Sequence, residues 1–208
     1  MLHQHPGALT LTKQVIDYCA FKPGAKVLDV GCGTGATVEY LCDVRRLNAS
    51  GVDISEARLE QAWKRAPGLQ FIQASGESLP FADDFFDGVV AECSLSVMHD
   101  VDAVLAEINR ILIPGGKLAI TDVYILDTDG LADSWNNNKL SKRLNENGFS
   151  VIIWEDQSAF LREFVASYIM EYGSMEGLWQ CRPNPKTKMG YFLLVAEKMA
   201  NERMSCFG

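Results

Sequence analysis

The chain has 208 residues, enough for one well-packed core and short of two. Apolar residues make up 48% and charged residues 22%, the balance of a soluble globular protein, and no apolar run is long enough to span a membrane. A formal net charge of −8 disfavours nucleic acid, whose phosphates call for a basic face, and it suits solubility or a cationic ligand.

The leading segment MLHQHPGALTLTK has no basic start followed by an apolar core. It is a poor signal peptide, so a cytoplasmic location is expected. His3 and His5 form a pair, but two ligands without a third or fourth do not make a metal site, and no metal is expected. Cysteines stand at 19, 32, 42, 93, 181 and 206 without C-x-x-C spacing. They read as reduced and semi-buried, with Cys206 exposed in the tail.

Thr12–Ala20 is predicted helical, and Lys26–Val30 is a first strand. Thr37–Asp43 is helix-like, and Ser50–Ile54 is a second strand closing on an acid. Ser55 is placed to cap the next helix, with Glu56 in its first turn. Leu59, Ala62, Trp63 and Ala66 then share one face. Leu69–Ala74 and Phe86–Ala91 are the third and fourth strands. Asp100 starts a helix striped by Val101, Val104, Leu105, Ile108, Ile111 and Leu112, which Pro114–Gly116 should stop.

Lys117–Ile125 is the fifth strand, and the polar stretch Leu126–Asn138 is expected to cross the open edge of the site. Trp135–Asn147 is a helix closed by Gly148, and Ser150–Glu155 is the sixth strand. Phe160, Leu161, Phe164, Val165, Tyr168, Ile169 and Tyr172 share a face in the clearest amphipathic helix of the chain. An irregular stretch, Gly173–Gly190, leads to a last strand, Tyr191–Lys198. This alternation predicts an α/β fold: a Rossmann-like doubly wound sheet of about seven strands, mostly parallel with a final antiparallel strand, helices on both faces. A single domain, 1–208, is expected, with a helical cover over 1–25, a cofactor-binding half over 26–125 and an acceptor side over 126–208.

The stretch VLDVGCGTG places Gly31, Gly33 and Gly35 at alternate positions after a buried strand, two residues beyond Asp29. Glycines at the carboxyl end of a strand permit positive φ and let a ligand lie on bare backbone. A tight turn without a ligand is the plainer alternative. A dinucleotide fold would need G-x-G-x-x-G, whereas position 36 is Ala, and Asp29 would crowd the pyrophosphate with negative charge. A ligand with a cationic amine and a sulfonium would welcome that carboxylate.

Four ordered segments, VLDVGCGTG (27–35), GVDIS (51–55), ESLPFADDFFDGVV (77–90) and EINRILIPGGKLAITD (107–122), carry a resemblance to the class I S-adenosylmethionine-dependent methyltransferases. The chain is most similar to the small stand-alone branch that includes quinone-biosynthesis and arsenite methyltransferases. The resemblance implies S-adenosyl-L-methionine as cofactor and S-adenosyl-L-homocysteine as product. Gly31, Cys32, Gly33 and Gly35 would form the turn around the methionine part, with Asp29 near its amino group. Asp53 would bind both ribose hydroxyls, as a carboxylate can accept from a diol. Ile54 would pack on adenine, although an ordinary core role is equally open. Ser75 stands where the family commonly has an acid, and would accept from the exocyclic amine while Gly76 N–H meets the ring. Glu77 matches a family Glu. Glu92 would lie near the methionine and sulfonium, or else is an exposed acid at a helix start. The segment 12–20 would cover the cofactor.

A sulfonium methyl is already activated, so transfer needs an in-line nucleophile about 3–3.5 Å from the carbon. A base is required only if the nucleophile carries a proton. His99 is the candidate base, with a solvated residue before the helix as the alternative. Tyr124 and Trp135 line the acceptor pocket or are simply core. Arsenite is disfavoured as acceptor because 121–130 holds no cysteine. The acceptor is unidentified and expected to be a small molecule. The alternative function is a non-catalytic partner protein that binds S-adenosylmethionine or S-adenosylhomocysteine. Nothing in the sequence fixes the oligomeric state.

Overall fold

The computed structural model describes residues 5–125, 137–174 and 189–200. In chain order the elements are α1 (Ala8–Cys19), β1 (Lys26–Val30), α2 (Ala36–Asp43), β2 (Asn48–Asp53), α3 (Glu56–Arg65), β3 (Gln70–Gln73) and β4 (Phe86–Glu92). They continue with α4 (Val101–Ile111), β5 (Leu112–Ile125), α5 (Asn137–Glu146), β6 (Phe149–Asp156), α6 (Ser158–Tyr172) and β7 (Met189–Lys198).

The strands form one sheet in the order β3-β2-β1-β4-β5-β7-β6. The pairs from β3 across to β5 are parallel, and β7 runs antiparallel to both β5 and β6. This is the Rossmann-like sheet that the alternation predicts. The chain winds outward from β1 to β3, then returns to β4 on the other side of β1. A crevice therefore opens beyond the carboxyl ends of β1 and β4, where the winding direction switches.

Alternate strand residues feed two cores. Leu28, Val30, Val52, Val89 and Ala91 pack with Val104, Leu105 and Ile108 of α4 and with Leu140 and Leu144 of α5. Val27, Ala49, Val90 and Ala119 pack on the opposite face with α1, α2, α3 and Leu161 of α6. Helices thus cover both faces, and both sides of the central strands are apolar, as a parallel sheet requires.

Several boundaries differ from expectation. The Pro114–Gly116 breaker does not sit between a helix and a strand. α4 ends at Ile111, and β5 starts at once at Leu112. The register then jumps from Phe86↔Leu112 to Gly88↔Lys117, so Pro114 and the left-handed Gly115 lie in an irregularity of the strand, where a missing N–H costs no ladder bond. Asp100 does cap α4, accepting from Ala103 N at 3.0 Å. Ser55 holds the N-cap position of α3 without a side-chain bond. Trp63 is 41% exposed rather than core.

The largest departure is α6. Only Ser158 and Leu161 are buried, while Ile169 and Tyr172 are exposed. Phe160, Leu161 and Val165 pack toward β7, whereas the last turn runs clear of the core. Residues 1–4, including His3, lie outside the described residues, as do Trp135, Cys181 and Cys206 and most of the stretches 126–138 and 173–190. Among the described residues no helix is long and apolar enough to cross a membrane.

Ile108 of α4 lies fully buried in the core cluster that holds Leu28, Val89 and Leu118. Ile108→Ala is expected to destabilise the fold by about 2–5 kcal/mol, read as a lowered urea midpoint with an unchanged slope.

Candidate active site

The crevice is built from the ends of three strands. After Val30 the chain turns through Gly31–Gly35 into α2. Gly31 N and Cys32 N donate to the Val52 carbonyl at 2.8 and 3.0 Å, which fastens the turn to β2. The glycine requirement here is partly internal. A Cβ on Gly31 would stand 2.4 Å from Ser94 Cβ, and one on Gly35 would stand 2.6 Å from Phe71 Cζ. Both residues also have positive φ, 83° and 79°. At these positions the missing side chain makes room for the protein itself, as well as baring backbone.

Three carboxylates close the floor. Asp53 ends β2 and is buried. Its Oδ2 accepts from Gly33 N and its Oδ1 from Ser55 N, each at 2.8 Å. Glu92 ends β4 and is also buried, so the exposed helix-start alternative does not hold. Thr12 Oγ1 donates to both its oxygens, at 2.9 and 3.1 Å, and Thr37 Oγ1 donates to Oε2 at 2.7 Å. His5 Nε2 lies 4.0 Å from the same Oε2, and His5 Nδ1 lies 3.1 Å from the Pro6 carbonyl oxygen. Asp29, in β1, is 3% exposed and has no side-chain hydrogen bond among the described residues. Desolvation, then repulsion from Glu92 and Asp53, holds its carboxyl well above the usual carboxylate range.

The open space divides into connected lobes. One, of ≈520 Å³, is lined by Asp53, Ile54, Ser75, Gly76 and Glu77, with His99 at its exposed edge. A second, of ≈360 Å³, is lined by Asp29, Cys32, Gly33, Thr37 and Glu92. Gly31, Arg58 and Cys93 border both. The structure therefore brings together ten of the eleven residues proposed for the cofactor. Gly35 lines neither lobe and acts only through the turn.

Ile54 is 72% exposed, which removes the core alternative. Ser75 is engaged locally, since its Oγ accepts from Glu77 N at 3.3 Å. Glu77 Oε1 accepts from Asp100 N at 3.0 Å and so holds the start of α4 against the loop after β3. His99 has no side-chain hydrogen bond among the described residues. Tyr124 lines neither lobe: its hydroxyl donates to Asp156 Oδ1 at 3.1 Å, and its ring packs edge-on against Trp154 and Phe192.

Other residues emerge only in three dimensions. Cys93 has φ 49°, and its Sγ lies 2.9 Å from the Tyr191 hydroxyl, which donates to Thr121 Oγ1 at 3.2 Å. Burial, then the Asp122 charge, pushes its thiol well above the ordinary range. Asp122 accepts from Ser96 N and Ser96 Oγ, fixing the turn over Leu95–Val97. Thr12, Thr37 and Cys93 carry no local pattern that sets them apart, and His5 stands out only as half of a discounted metal pair; the contacts with Glu92 and Tyr191 reveal them.

Comparison with known proteins adds to this geometry. The family described as a methyltransferase domain matches residues 28–120. An O-methyltransferase of Pyrenophora dematioidea is 31% identical over 221 residues, covering 91% of this chain and 80% of that protein. The chain spans about half the length of several other curated methyltransferases that it matches. Among solved structures, the [4+2]-cyclase SpnF aligns at 26% identity with a TM-score of 0.71, over 91% of this chain and 80% of that one. Phosphoethanolamine N-methyltransferase 2 of Haemonchus contortus, solved with S-adenosyl-L-methionine, aligns at 19% identity with a TM-score of 0.78, over 94% of this chain and 54% of that one.

Asp29 makes the unliganded fold sensitive to pH. Its folded-state pKa lies above the unfolded one, so its contribution is fully present at low pH and is lost as pH rises through the folded value. Asp29→Asn removes that loss. Thermal melts of the ligand-free protein should show the variant more stable than wild type at pH 8 and the gap closing toward pH 4.

Proposed function

This chain belongs to the class I S-adenosylmethionine-dependent methyltransferases, and we propose that its acceptor is a small organic molecule presenting a hydroxyl oxygen. As a transferase it takes its methyl group from S-adenosylmethionine. The residues present fit that group. Asp29 is a buried acid with no side-chain hydrogen bond among the described residues, and the donor carries positive charge at its amine and its sulfur. This buried acid beside the turn 31–35, whose ionisation a bound cation would favour, is the observation that carries the assignment of the cleft.

Each residue then has a task. Asp29 answers the amino group, and the backbones of Gly31, Cys32 and Gly33 bed the methionine portion, while Gly35 sets the turn. Each Asp53 oxygen spends one lone pair on a backbone N–H and offers another to a ribose hydroxyl. Ile54 presents its exposed side chain to adenine, and Ser75 and Gly76 face the ring edge. Glu77 and Glu92 work indirectly, one by holding the loop after β3 to α4 and the other by holding α1 over the cleft. On this reading residues 26–125 form the cofactor half of one unit, 1–25 its helical cover and 126–208 its acceptor side.

Oxygen as the accepting atom is supported by the name of the Pyrenophora relative, which the chain matches over most of both lengths. Incubation with S-adenosylmethionine and a panel of phenols, alcohols and amines should yield methyl ethers. Methylated amines alone would overturn the oxygen assignment. Asp53→Asn removes charge from the ribose hydrogen bonds, each worth about 1.5–3 kcal/mol. Calorimetry should find S-adenosylhomocysteine bound at least about tenfold more weakly, with far-ultraviolet dichroism unchanged.

A further inference from the structure

Two cavities meet at His5. His5, Ala8 and Leu9 border the lobe that holds Asp29 and Glu92. The same three residues wall another cavity, of ≈520 Å³, between α1 and α6. Its far side carries Phe160 and Phe164, with Glu163, Ser167 and Glu171. No lysine or arginine is among its described lining residues.

The ring of His5 is oriented at that join. Nδ1 faces the Pro6 carbonyl oxygen at 3.1 Å. A carbonyl only accepts, so Nδ1 carries the hydrogen, and the neutral imidazole has its lone pair at Nε2. Nε2 stands 4.0 Å from Glu92 Oε2. That is too long for a hydrogen bond, and it leaves the lone pair free while a carboxylate stands beside it. Glu92 cannot swing away, because Thr12 and Thr37 grip it. The other charged groups around His5 are Asp29 of β1, Arg58 and Arg65 of α3, and Glu163 and Glu171 of α6.

We propose that the cavity between α1 and α6 is the acceptor subsite, and that His5 is the base that takes the acceptor's hydroxyl proton. The proposal rests on the hydroxyl-acceptor function above. The walls suit a flat, apolar hydroxyl compound that is neutral or cationic. An anionic body would meet Glu163 and Glu171 with no cation to answer it. Bound S-adenosylmethionine supplies a methyl on a positively charged sulfur. The acceptor oxygen forms the new O–C bond as the C–S electron pair returns to sulfur, and the hydroxyl proton passes to Nε2. The resulting imidazolium rests against Glu92 and gives its proton to solvent once the ether leaves.

Naphthol and the more acidic para-nitrophenol serve as probes, with NMR as the readout that does not depend on turnover. Ring-nitrogen shifts should report His5 as the Nδ1–H tautomer, and an Nε2–H tautomer overturns the base. In the S-adenosylhomocysteine complex, naphthol should shift the signals of Leu9 and Phe164; signals that stay put overturn the subsite. His5→Gln should keep its affinity for S-adenosylhomocysteine and lose about 10²–10⁴-fold in kcat toward naphthol, with a much smaller loss toward para-nitrophenol. Equal losses on both phenols overturn the base, as does weakened cofactor binding with kcat kept. Phe164→Ala should raise KM for naphthol with cofactor affinity unchanged, and an unchanged KM counts against the subsite. If the wild type methylates neither phenol while naphthol still shifts Leu9 and Phe164, the hydroxyl-acceptor function fails and the subsite stands.

Discussion

One carboxylate spans the floor of the cleft and holds two loops in register. Asp53 takes an N–H from Gly33 with one oxygen and from Ser55 with the other. The glycine turn after β1 and the entry to α3 are thereby fixed to the end of β2. Hydrogen bonds to a carboxylate are the strong kind, and these two answer both oxygens of a buried acid. They add to the bonds that Gly31 N and Cys32 N make to the Val52 carbonyl and that Gly35 N makes to the Cys32 carbonyl. Loops at a switch point are where an open sheet places its ligand, so their rigidity decides how well the cleft is formed before anything enters it.

The three acids of the floor are handled differently, and the difference organises the site. Asp53 is satisfied by backbone, and Glu92 by two threonine hydroxyls drawn from helices on either side. Asp29 is buried with neither. Burial first, and then repulsion from the other two, is why the Asp29 carboxyl resists ionisation. A cation in the cleft relieves that repulsion, so folding and binding draw on the same charge. The grip on Glu92 also makes α1 part of the site, since Thr12 reaches it from that helix.

Much of this was legible in the sequence because it is local. Strand and helix periods, the glycine turn, the acid closing β2 and the capping acid at Asp100 all depend on neighbours in the chain. What escaped depends on distant packing. The insertion of β7 between β5 and β6 has no local mark. The apolar face of α6 could equally have packed on the sheet or joined a second copy, and only its first turns meet the sheet. Glu92 was legible as a site residue, but its partners Thr12 and Thr37, 80 and 55 positions away, were not. Gly35 shows the converse: the motif drew attention to it as a ligand-facing residue, while the space it leaves is filled by Phe71. His99 attracted notice as the lone histidine past the N-terminus, but the buried carboxylate faces His5 instead.

Cys93 sits where the two lobes join, in the cleft proposed for a reactive alkyl donor. Sulfur is the softest nucleophile a side chain can offer, and only its anion attacks readily. Burial and the nearby Asp122 keep this one protonated, with the Tyr191 hydroxyl at its side. A neutral thiol is a poor nucleophile toward an alkyl donor, so the Cys93 sulfur borders both lobes in the form least able to compete with an acceptor.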